Sequence, residues 1–202
     1  MQLRSCCCVI IQNHGQNMKI EKVSVGLVGL GMVCESHLKA YSAHPDAKVL
    51  AVCDLDADRS KEIANKYGIP RTYTSYEQML KDPEINTVDI TTPTILHFPM
   101  ALAAAMAGKN ILCEKPFCLT LTEGQEVCEA ARSKGVTFMV GESYIFMTSL
   151  KHAQTLIEAG EIGKPQQIRQ RFGSWVERPG VLETGRPITD DHRGWRMDSK
   201  NA

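Results

Sequence analysis

The sequence lacks a net charge and lacks long apolar runs. Its 202 residues carry 23 basic and 23 acidic side chains. Proteins that bind nucleic acid or anionic membranes usually show a basic surplus, so this balance indicates neither kind of partner. No apolar run reaches the length of a membrane-spanning helix. A hydrophobic content of 43% with 23% charged residues is instead typical of a soluble globular protein.

Cys-x-x-Cys pairs are also missing, although the chain has eight cysteines. Most of these cysteines fall within segments predicted as strands or helices. Cysteines in such segments are usually buried, reduced thiols, and reduced thiols indicate the cytoplasm. We therefore predict a cytoplasmic protein and assign no metal site.

Residues 1–20 differ from the rest of the chain. Their apolar run, Cys6–Ile11, is too short for the apolar region of a secretory signal. Three interpretations stay open: a disordered tail, coding sequence upstream of a true start at Met18, or a lipidated cysteine cluster. We expect residues 1–20 to be a disordered extension.

The most informative stretch is Val23–Cys34. An apolar run leads into Gly29 and Gly31, and a helical pattern follows at once. Strand, glycine turn and helix form the context of a dinucleotide-binding fingerprint, in which the glycines permit a tight turn and close approach of a pyrophosphate. The third glycine of that pattern is missing, because Cys34 stands in its place. Taken alone, the fingerprint therefore leaves a simple strand-to-helix turn equally open.

An acidic residue follows the second apolar run. Asp54 lies 25 residues after Gly29, close to the spacing of the acid that binds a ribose in dinucleotide sites. Its carboxylate would repel a 2′-phosphate, and the next residue is Leu55 rather than an arginine, so we favour NAD over NADP. Asp54 or Asp56 could instead cap the next helix. We favour the cap for Asp56 and the ribose for Asp54.

Strands and helices alternate along the chain, which predicts an α/β fold: a Rossmann-type, doubly wound parallel sheet. The predicted strands are Val23–Val28, Lys48–Cys53, Arg71–Tyr73, Asn86–Thr91, Asn110–Cys113 and Val136–Val140. The predicted helices after the first are Ala57–Tyr67, Tyr76–Lys81, His97–Ala107 and Glu123–Lys134, the last one capped by Thr122 and Gln125. Ligands of such sheets bind at the carboxyl ends of the strands. That rule predicts one rim, formed by Gly29–Val33, Asp54, Thr92–His97 and Glu114–Phe117.

The fifth predicted strand delivers Glu114 and Lys115 to this rim, and Pro116 cannot continue the strand. A lysine beside a nicotinamide can donate to a hydroxyl oxygen of a substrate, and burial can lower its pKa enough for proton transfer. The alternative is an ordinary surface pair of Glu114 and Lys115. The sequence leaves open whether the peptide bond before Pro116 is cis.

Together these motifs resemble the Gfo/Idh/MocA family, named after glucose-fructose oxidoreductase, inositol dehydrogenase and a rhizopine-catabolism protein. The resemblance covers Val23 to the C-terminus. Members of the family are mostly NAD(P)-dependent oxidoreductases that act on hydroxyls of sugars, inositols and related polyols. The motifs that carry it are Gly29-Leu-Gly-Met32, Asp54, Thr92-Pro93 with His97, Cys113-Glu-Lys-Pro116, Gly141-Glu-Ser-Tyr144 and the segment from Gly160 to Pro165.

The resemblance implies a role for each matching residue. Glu114 would contact the ribose next to the nicotinamide, and Lys115 would be the catalytic lysine that contacts the substrate. His97 is equally interpretable as a structural hydrogen-bonder, and we place it near the cofactor rather than as the base. The implied cofactor-binding residues are Gly29, Gly31 and Met32 at the pyrophosphate, Asp54 at the adenosine ribose, Thr92, Pro93 and His97 along the cofactor, and Glu114 and Pro116 beyond them.

The resemblance also implies a second, α+β domain and a homo-oligomer. We predict residues 21–141 as the dinucleotide-binding domain and residues 142–202 as the incomplete start of the second. In that start we predict a helix, Ser149–Ala159, and a strand, Gln166–Ser174. The loop residues after them, which present either substrate contacts or ordinary loop groups, are Trp175, Arg178, Trp195 and Arg196. The family's catalytic Asp and His do not appear, so we expect the chain to be a fragment.

Three functions follow from these observations. The first is an NAD-dependent dehydrogenase of a sugar, inositol or other polyol, of which this chain is a part. The second is a dinucleotide-binding sensor or partner-binding module without chemistry, which the missing Asp and His favour. The third is a nonfunctional partial product.

Overall fold

The computed structural model describes residues 22–167 and 169. The chain divides into two units between Gly141 and Glu142. The strands of the first unit are β1 Val23–Val28, β2 Ala47–Cys53, β3 Arg71–Tyr73, β4 Thr87–Ile90, β5 Asn110–Cys113 and β6 Phe138–Val140. Its helices are α1 Cys34–Ala43, α2 Ala57–Tyr67, α3 Tyr76–Leu80, α4 His97–Met106 and α5 Leu121–Lys134, with a short 3-10 turn at Thr94–Leu96.

All strand pairs of the first unit are parallel. The order across the sheet is β3-β2-β1-β4-β5-β6, so the chain winds outward from β1 in one direction and then, from β4, in the other. This order is that of the Rossmann fold, in which the change of direction opens a crevice for a dinucleotide. The predicted fold class of the first domain is confirmed.

Apolar side chains cover both faces of the sheet. Adjacent residues of a strand point to opposite faces, and Leu27 and Val28 at the end of β1 accordingly belong to different core clusters. Leu27 packs with Leu38 of α1 and Ile63 of α2. Val28 belongs to the larger cluster, which includes Phe138 and the small residues of α4. The two-sided burial explains why β1 is an apolar run rather than an alternating one.

The start of α5 differs from the prediction. The helix begins at Leu121, and its cap is Thr120, whose hydroxyl accepts a hydrogen bond from the Glu123 amide. The Glu123 carboxylate accepts in return from the amides of Thr120 and Leu119. The predicted cap of Thr122 with Gln125 is wrong. Two overlapping Thr-x-x-Glu/Gln patterns occur here, and the frame with the carboxylate prevails because a negative charge interacts better with a helix N-terminus than a neutral amide does.

In the second unit, helix α6 spans Thr148–Glu158, one residue earlier at each end than predicted. A 3-10 turn at Ser143–Phe146 precedes it. Most of the predicted strand Gln166–Ser174 lies outside the described residues, as do residues 1–20 and the loop residues Trp175, Arg178, Trp195 and Arg196. None of the described helices combines the length and apolar character needed to cross a membrane.

Candidate functional site

The carboxyl ends of four neighbouring strands lie level with one another. Val28 pairs with Cys53 on one side and with Ile90 on the other, and Ile90 pairs with Cys113. These four residues end β2, β1, β4 and β5, so the residues that follow them share one edge of the sheet. In the order of the sheet they are Asp54, Gly29, Thr91 and Glu114. The glycine turn, the acid and the Glu-Lys-Pro element are therefore brought to the same rim.

Gly29 makes a turn that other residues cannot make without strain. Its φ is +90°, a left-handed conformation that favours glycine. A Cβ atom at Gly29 would lie 2.7 Å from the Thr92 amide nitrogen. The Thr91 hydroxyl donates a hydrogen bond to the Gly29 carbonyl across 2.7 Å, which fixes the close approach of the two loops. Glycine is thus required here by backbone packing, independently of any ligand.

Gly31 keeps space open in front of α1. A Cβ atom at this position would meet no atom within 4 Å. The residue before α1, Val33, provides no side-chain cap for the amides of the helix start. Amides at an uncapped helix N-terminus beside open space are a favourable site for a phosphate group. The residues present therefore fit a pyrophosphate, and Met32, which follows Gly31 in the loop, is exposed.

Cys34 occupies the third position of the fingerprint. It is fully buried, in the same cluster as Leu27 and Leu38. Burial raises the pKa of its thiol to about 11. The side chain is therefore a neutral, small packing group, which is how a cysteine substitutes for the glycine that allows close helix-strand packing. None of the five cysteines among the described residues forms a disulfide bond.

Asp54 is bonded to the glycine loop. Its Oδ2 accepts a hydrogen bond from the Leu30 amide at 2.7 Å, and its Oδ1 accepts from the Asp56 amide at 3.0 Å. Asp56 is the cap of α2, accepting from the amides of Asp58 and Arg59. The prediction of Asp56 as the cap is confirmed. Each oxygen of Asp54 retains an acceptor position for a further donor.

His97 joins two loops of the rim. Its side chain is buried, with Nε2 2.7 Å from the Thr92 carbonyl oxygen and Nδ1 2.7 Å from the Pro116 carbonyl oxygen. These contacts agree with the interpretation of His97 as a structural hydrogen-bonder. Pro93, which follows Thr92, starts the 3-10 turn that leads into α4. The Lys115–Pro116 peptide bond is cis.

Lys115 is exposed on the rim, and its ammonium makes no hydrogen bond or salt bridge with the described residues. The described residues therefore do not bury this lysine. Its backbone amide donates to Oε2 of Glu114 at 3.1 Å. Burial works to raise the pKa of Glu114, but hydrogen bonds from His37 and from the Lys115 amide outweigh it, and the pKa is lowered. Glu114 is thus an ionised carboxylate beside an open-facing ammonium.

A buried charged network lies below Glu114 and was not predicted. Nδ1 of His37 lies 2.7 Å from Oδ2 of Asp89, and its Nε2 lies 3.3 Å from Oε1 of Glu114. Burial works to lower the pKa of His37, but the bonds to the two carboxylates prevail and raise it to about 10. The Tyr41 hydroxyl also donates to Oδ2 of Asp89, at 3.0 Å. An aspartate within the apolar strand β4 was the signal for this network in the sequence.

The sheet order, the glycine loop and the acid on one rim define a dinucleotide-binding Rossmann protein. A family model described as "Oxidoreductase family, NAD-binding Rossmann fold" matches residues 23–142. The chain belongs to this family, the Gfo/Idh/MocA oxidoreductases, and the match confirms both the resemblance and NAD as the cofactor of the family's domain.

Individual relatives agree with the family. The uncharacterized oxidoreductase YrbE of Bacillus subtilis is 35% identical over 149 residues, which are 74% of this chain and 44% of that protein. Levoglucosan dehydrogenase of Pseudarthrobacter phenanthrenivorans is 34% identical over 161 residues, 76% of this chain and 41% of that protein. A solved levoglucosan dehydrogenase in complex with NADH and levoglucosan has a TM-score of 0.67 and 32% identity, covering 70% of this chain and 40% of that one. The chain therefore spans less than half the length of these relatives.

Proposed function

We propose that the whole protein is an NAD-dependent dehydrogenase that oxidises a hydroxyl group of a sugar, an inositol or a related polyol. The observation that carries this proposal is the shared rim of Gly29 and Lys115: a turn that fits a pyrophosphate and a free ammonium follow strands whose ends are level. The similarity to levoglucosan dehydrogenase supports the substrate class.

Each rim residue has a role in this proposal. The open space at Gly31 and the helix start at Met32 accept the pyrophosphate, while Gly29 makes the turn that brings them there. Asp54 accepts hydrogen bonds from the hydroxyls of the adenosine ribose, and its charge disfavours a 2′-phosphate. The other cofactor contacts come from the loops on the far side of β1, namely Thr92, Pro93, Glu114 and Pro116, with His97 holding these loops together.

Lys115 carries the chemistry that this chain contributes. NAD, when bound, accepts a hydride from the carbinol carbon of the substrate. The Lys115 ammonium donates a hydrogen bond to the hydroxyl oxygen and stabilises the negative charge that develops there, while the hydroxyl proton passes to the catalytic histidine that the family resemblance implies for the whole protein. Glu114 keeps a compensating negative charge beside the ammonium and draws its own stability from His37.

We also propose that residues 21–141 form the dinucleotide-binding domain and that residues 142–202 belong to the substrate domain. The division of the chain between Gly141 and Glu142 and the end of the family match at residue 142 support this boundary. The lack of disulfide bonds among the described cysteines supports a cytoplasmic location.

Two measurements test the proposed function. Fluorescence titration of the purified chain with NADH should show saturable binding. The full-length protein should reduce NAD in the presence of a polyol from a panel that includes levoglucosan and myo-inositol. Binding without turnover of any polyol by the full-length protein would indicate the sensor function instead.

The variant Lys115→Ala provides the sharper test of the mechanism. It should lower kcat by roughly 10²–10⁴-fold, the range of general acid–base catalysis, and leave NADH affinity nearly unchanged. Lys39→Ala is the matched control, because Lys39 is an exposed lysine of α1. An unchanged kcat in Lys115→Ala would remove the lysine from the mechanism.

A further inference from the structure

His37 bridges three separate elements of the Rossmann unit. It belongs to α1, and its two ring nitrogens lie at hydrogen-bond distance from Asp89 of β4 and from Glu114 at the end of β5. The side chain of His37 is 16% exposed, that of Asp89 is 0% exposed and that of Glu114 is 16% exposed. One imidazole thus connects the most buried carboxylate of the group to a carboxylate on the rim.

Asp89 is a poor choice for stability alone. Its Oδ2 accepts hydrogen bonds from His37 and Tyr41, but its Oδ1 is buried and has no partner among the described residues. A buried carboxylate with an unsatisfied oxygen is unfavourable, and an apolar residue would suit the middle of a parallel sheet better. A role in holding the protonated ring of His37 in one orientation explains why an aspartate is found at position 89.

Glu114 is held at both of its carboxylate oxygens. Oε1 is 3.3 Å from His37, and Oε2 accepts a hydrogen bond from the Lys115 amide. Gly141, at the end of β6, closes the remaining side, since a Cβ atom there would lie 3.3 Å from Oε1. The carboxylate is therefore confined on three sides, and within residues 22–167 the side chain that lies at hydrogen-bond distance from it is His37.

We propose that His37, anchored by Asp89, is a positioning residue that fixes the Glu114 carboxylate as the acceptor for the ribose on the nicotinamide side of the cofactor. This inference rests on the proposed function, because it needs a dinucleotide on the rim. Loss of His37 leaves the glycine loop and Asp54 in place, so the pyrophosphate and adenosine sites keep their contacts. Only the nicotinamide half of the cofactor loses its partner.

The test compares two ligands of different length. ADP occupies only the adenosine and phosphate part of the site, whereas NADH also reaches Glu114. In the 202-residue chain, His37→Gln should raise the Kd of NADH about tenfold or more and leave the Kd of ADP within about twofold. Tyr41→Phe is the matched control: it removes a hydrogen bond to Asp89 but leaves the His37–Glu114 contact, and both Kd values should stay within about twofold of wild type.

A double variant separates positioning from general damage. If His37 acts through Glu114, His37→Gln should add almost nothing to the loss of NADH affinity already caused by Glu114→Gln. Independent, multiplicative losses would overturn the proposal, and so would an equal loss of ADP and NADH affinity in His37→Gln. If the wild-type protein binds NADH no more tightly than ADP, the nicotinamide half of the cofactor has no site, and the proposed function itself is overturned.

A measurement on the wild-type chain covers the case in which His37→Gln does not fold. In a ¹⁵N NMR spectrum, addition of NADH should shift the ring resonances of His37, and addition of ADP should leave them in place. Unchanged His37 resonances at saturating NADH would overturn the proposal.

Discussion

The Leu30 amide donates a hydrogen bond to Oδ2 of Asp54 across 2.7 Å. The glycine loop after β1 and the acid after β2 are thus one hydrogen-bonded unit before any ligand arrives. Arg59 of α2 adds to it by donating to the Leu30 carbonyl at 3.2 Å. Preorganisation of this kind reduces the ordering that binding requires.

Removal of the Asp54 carboxylate should therefore weaken cofactor binding twice, through the lost ribose acceptor and through a loosened loop. Hydrogen bonds to charged groups contribute about 1.5–3 kcal/mol each, so Asp54→Ala should raise the Kd of NADH roughly tenfold to 100-fold. Fluorescence titration measures it. Asp58→Ala is the control, because that carboxylate is 95% exposed and pairs with the exposed Lys61. Equal NADH affinity in Asp54→Ala and wild type would contradict the ribose role.

The two glycines of the loop should respond differently to the same substitution. Gly29→Ala places a methyl group against backbone at φ +90°. Because backbone strain of this kind costs of order 1–3 kcal/mol and a clash adds to it, the free energy of unfolding should fall by roughly 2–4 kcal/mol. Urea denaturation measures it. Gly68→Ala is the matched control, with φ +66° but no atom within 4 Å, and should cost about 1 kcal/mol. Equal losses in both variants would show that the contact with the Thr92 loop is not tight.

Gly31→Ala should leave stability unchanged and weaken NADH binding. The added methyl group meets no protein atom within 4 Å, so nothing in the fold opposes it. It enters the space in front of α1 that the pyrophosphate is proposed to occupy. We expect a rise in the Kd of NADH of about tenfold, equivalent to about 1.4 kcal/mol, with a urea midpoint equal to that of wild type. If Gly31→Ala changes neither the Kd of NADH nor the urea midpoint, the phosphates do not bind in this space.

A structural feature can be predicted from the sequence when the residues that form it are close together along the chain. The turn at Gly29 and the cap at Asp56 depend on neighbouring residues only. The alternation of strand and helix segments in the sequence therefore predicts both. The contact of His37 with Asp89 joins residues 52 positions apart. An aspartate in an apolar strand indicates that a partner is needed, but the local sequence does not say which residue that partner is. His97 binds its partners through backbone carbonyls, which any residue provides. The cap of α5 failed for a different reason: two overlapping patterns satisfied the same rule.

Removal of the His97 ring should release the loops it joins. His97→Ala removes a buried ring that contacts the Thr92 and Pro116 carbonyl oxygens. A lost hydrogen bond costs about 1–3 kcal/mol and the cavity adds to it, so we expect a loss of about 2–4 kcal/mol in unfolding free energy. Because Pro116 follows Lys115, kcat of the proposed full-length dehydrogenase should fall as well. His44→Ala, an exposed histidine after α1, is the control for urea denaturation. Unaltered stability in His97→Ala would show that His97 does not hold the two loops together.

The charge on His37 should appear in the pH dependence of stability. Its pKa rises from 6.5 to about 10 on folding, so protonation stabilises the fold fully below pH 6.5, and this contribution is lost as pH rises toward 10. Over this range the folded state binds one proton more than the unfolded state, and the free energy of unfolding should fall by up to about 1.4 kcal/mol per pH unit.

The window from pH 6.5 to 7.5 separates His37 from the buried thiols of Cys34, Cys53 and Cys113, whose pKa values burial raises. Burial raises the pKa of Cys34 to about 11 and that of Cys53 to about 12, so both thiols remain protonated there in the folded state. Their ordinary value of 9.0 keeps them mostly protonated in the unfolded state as well. Urea denaturation of wild type across this window should show the falling stability, and His37→Gln should flatten it. Parallel curves for the two proteins would mean that His37 carries no extra proton in the folded state.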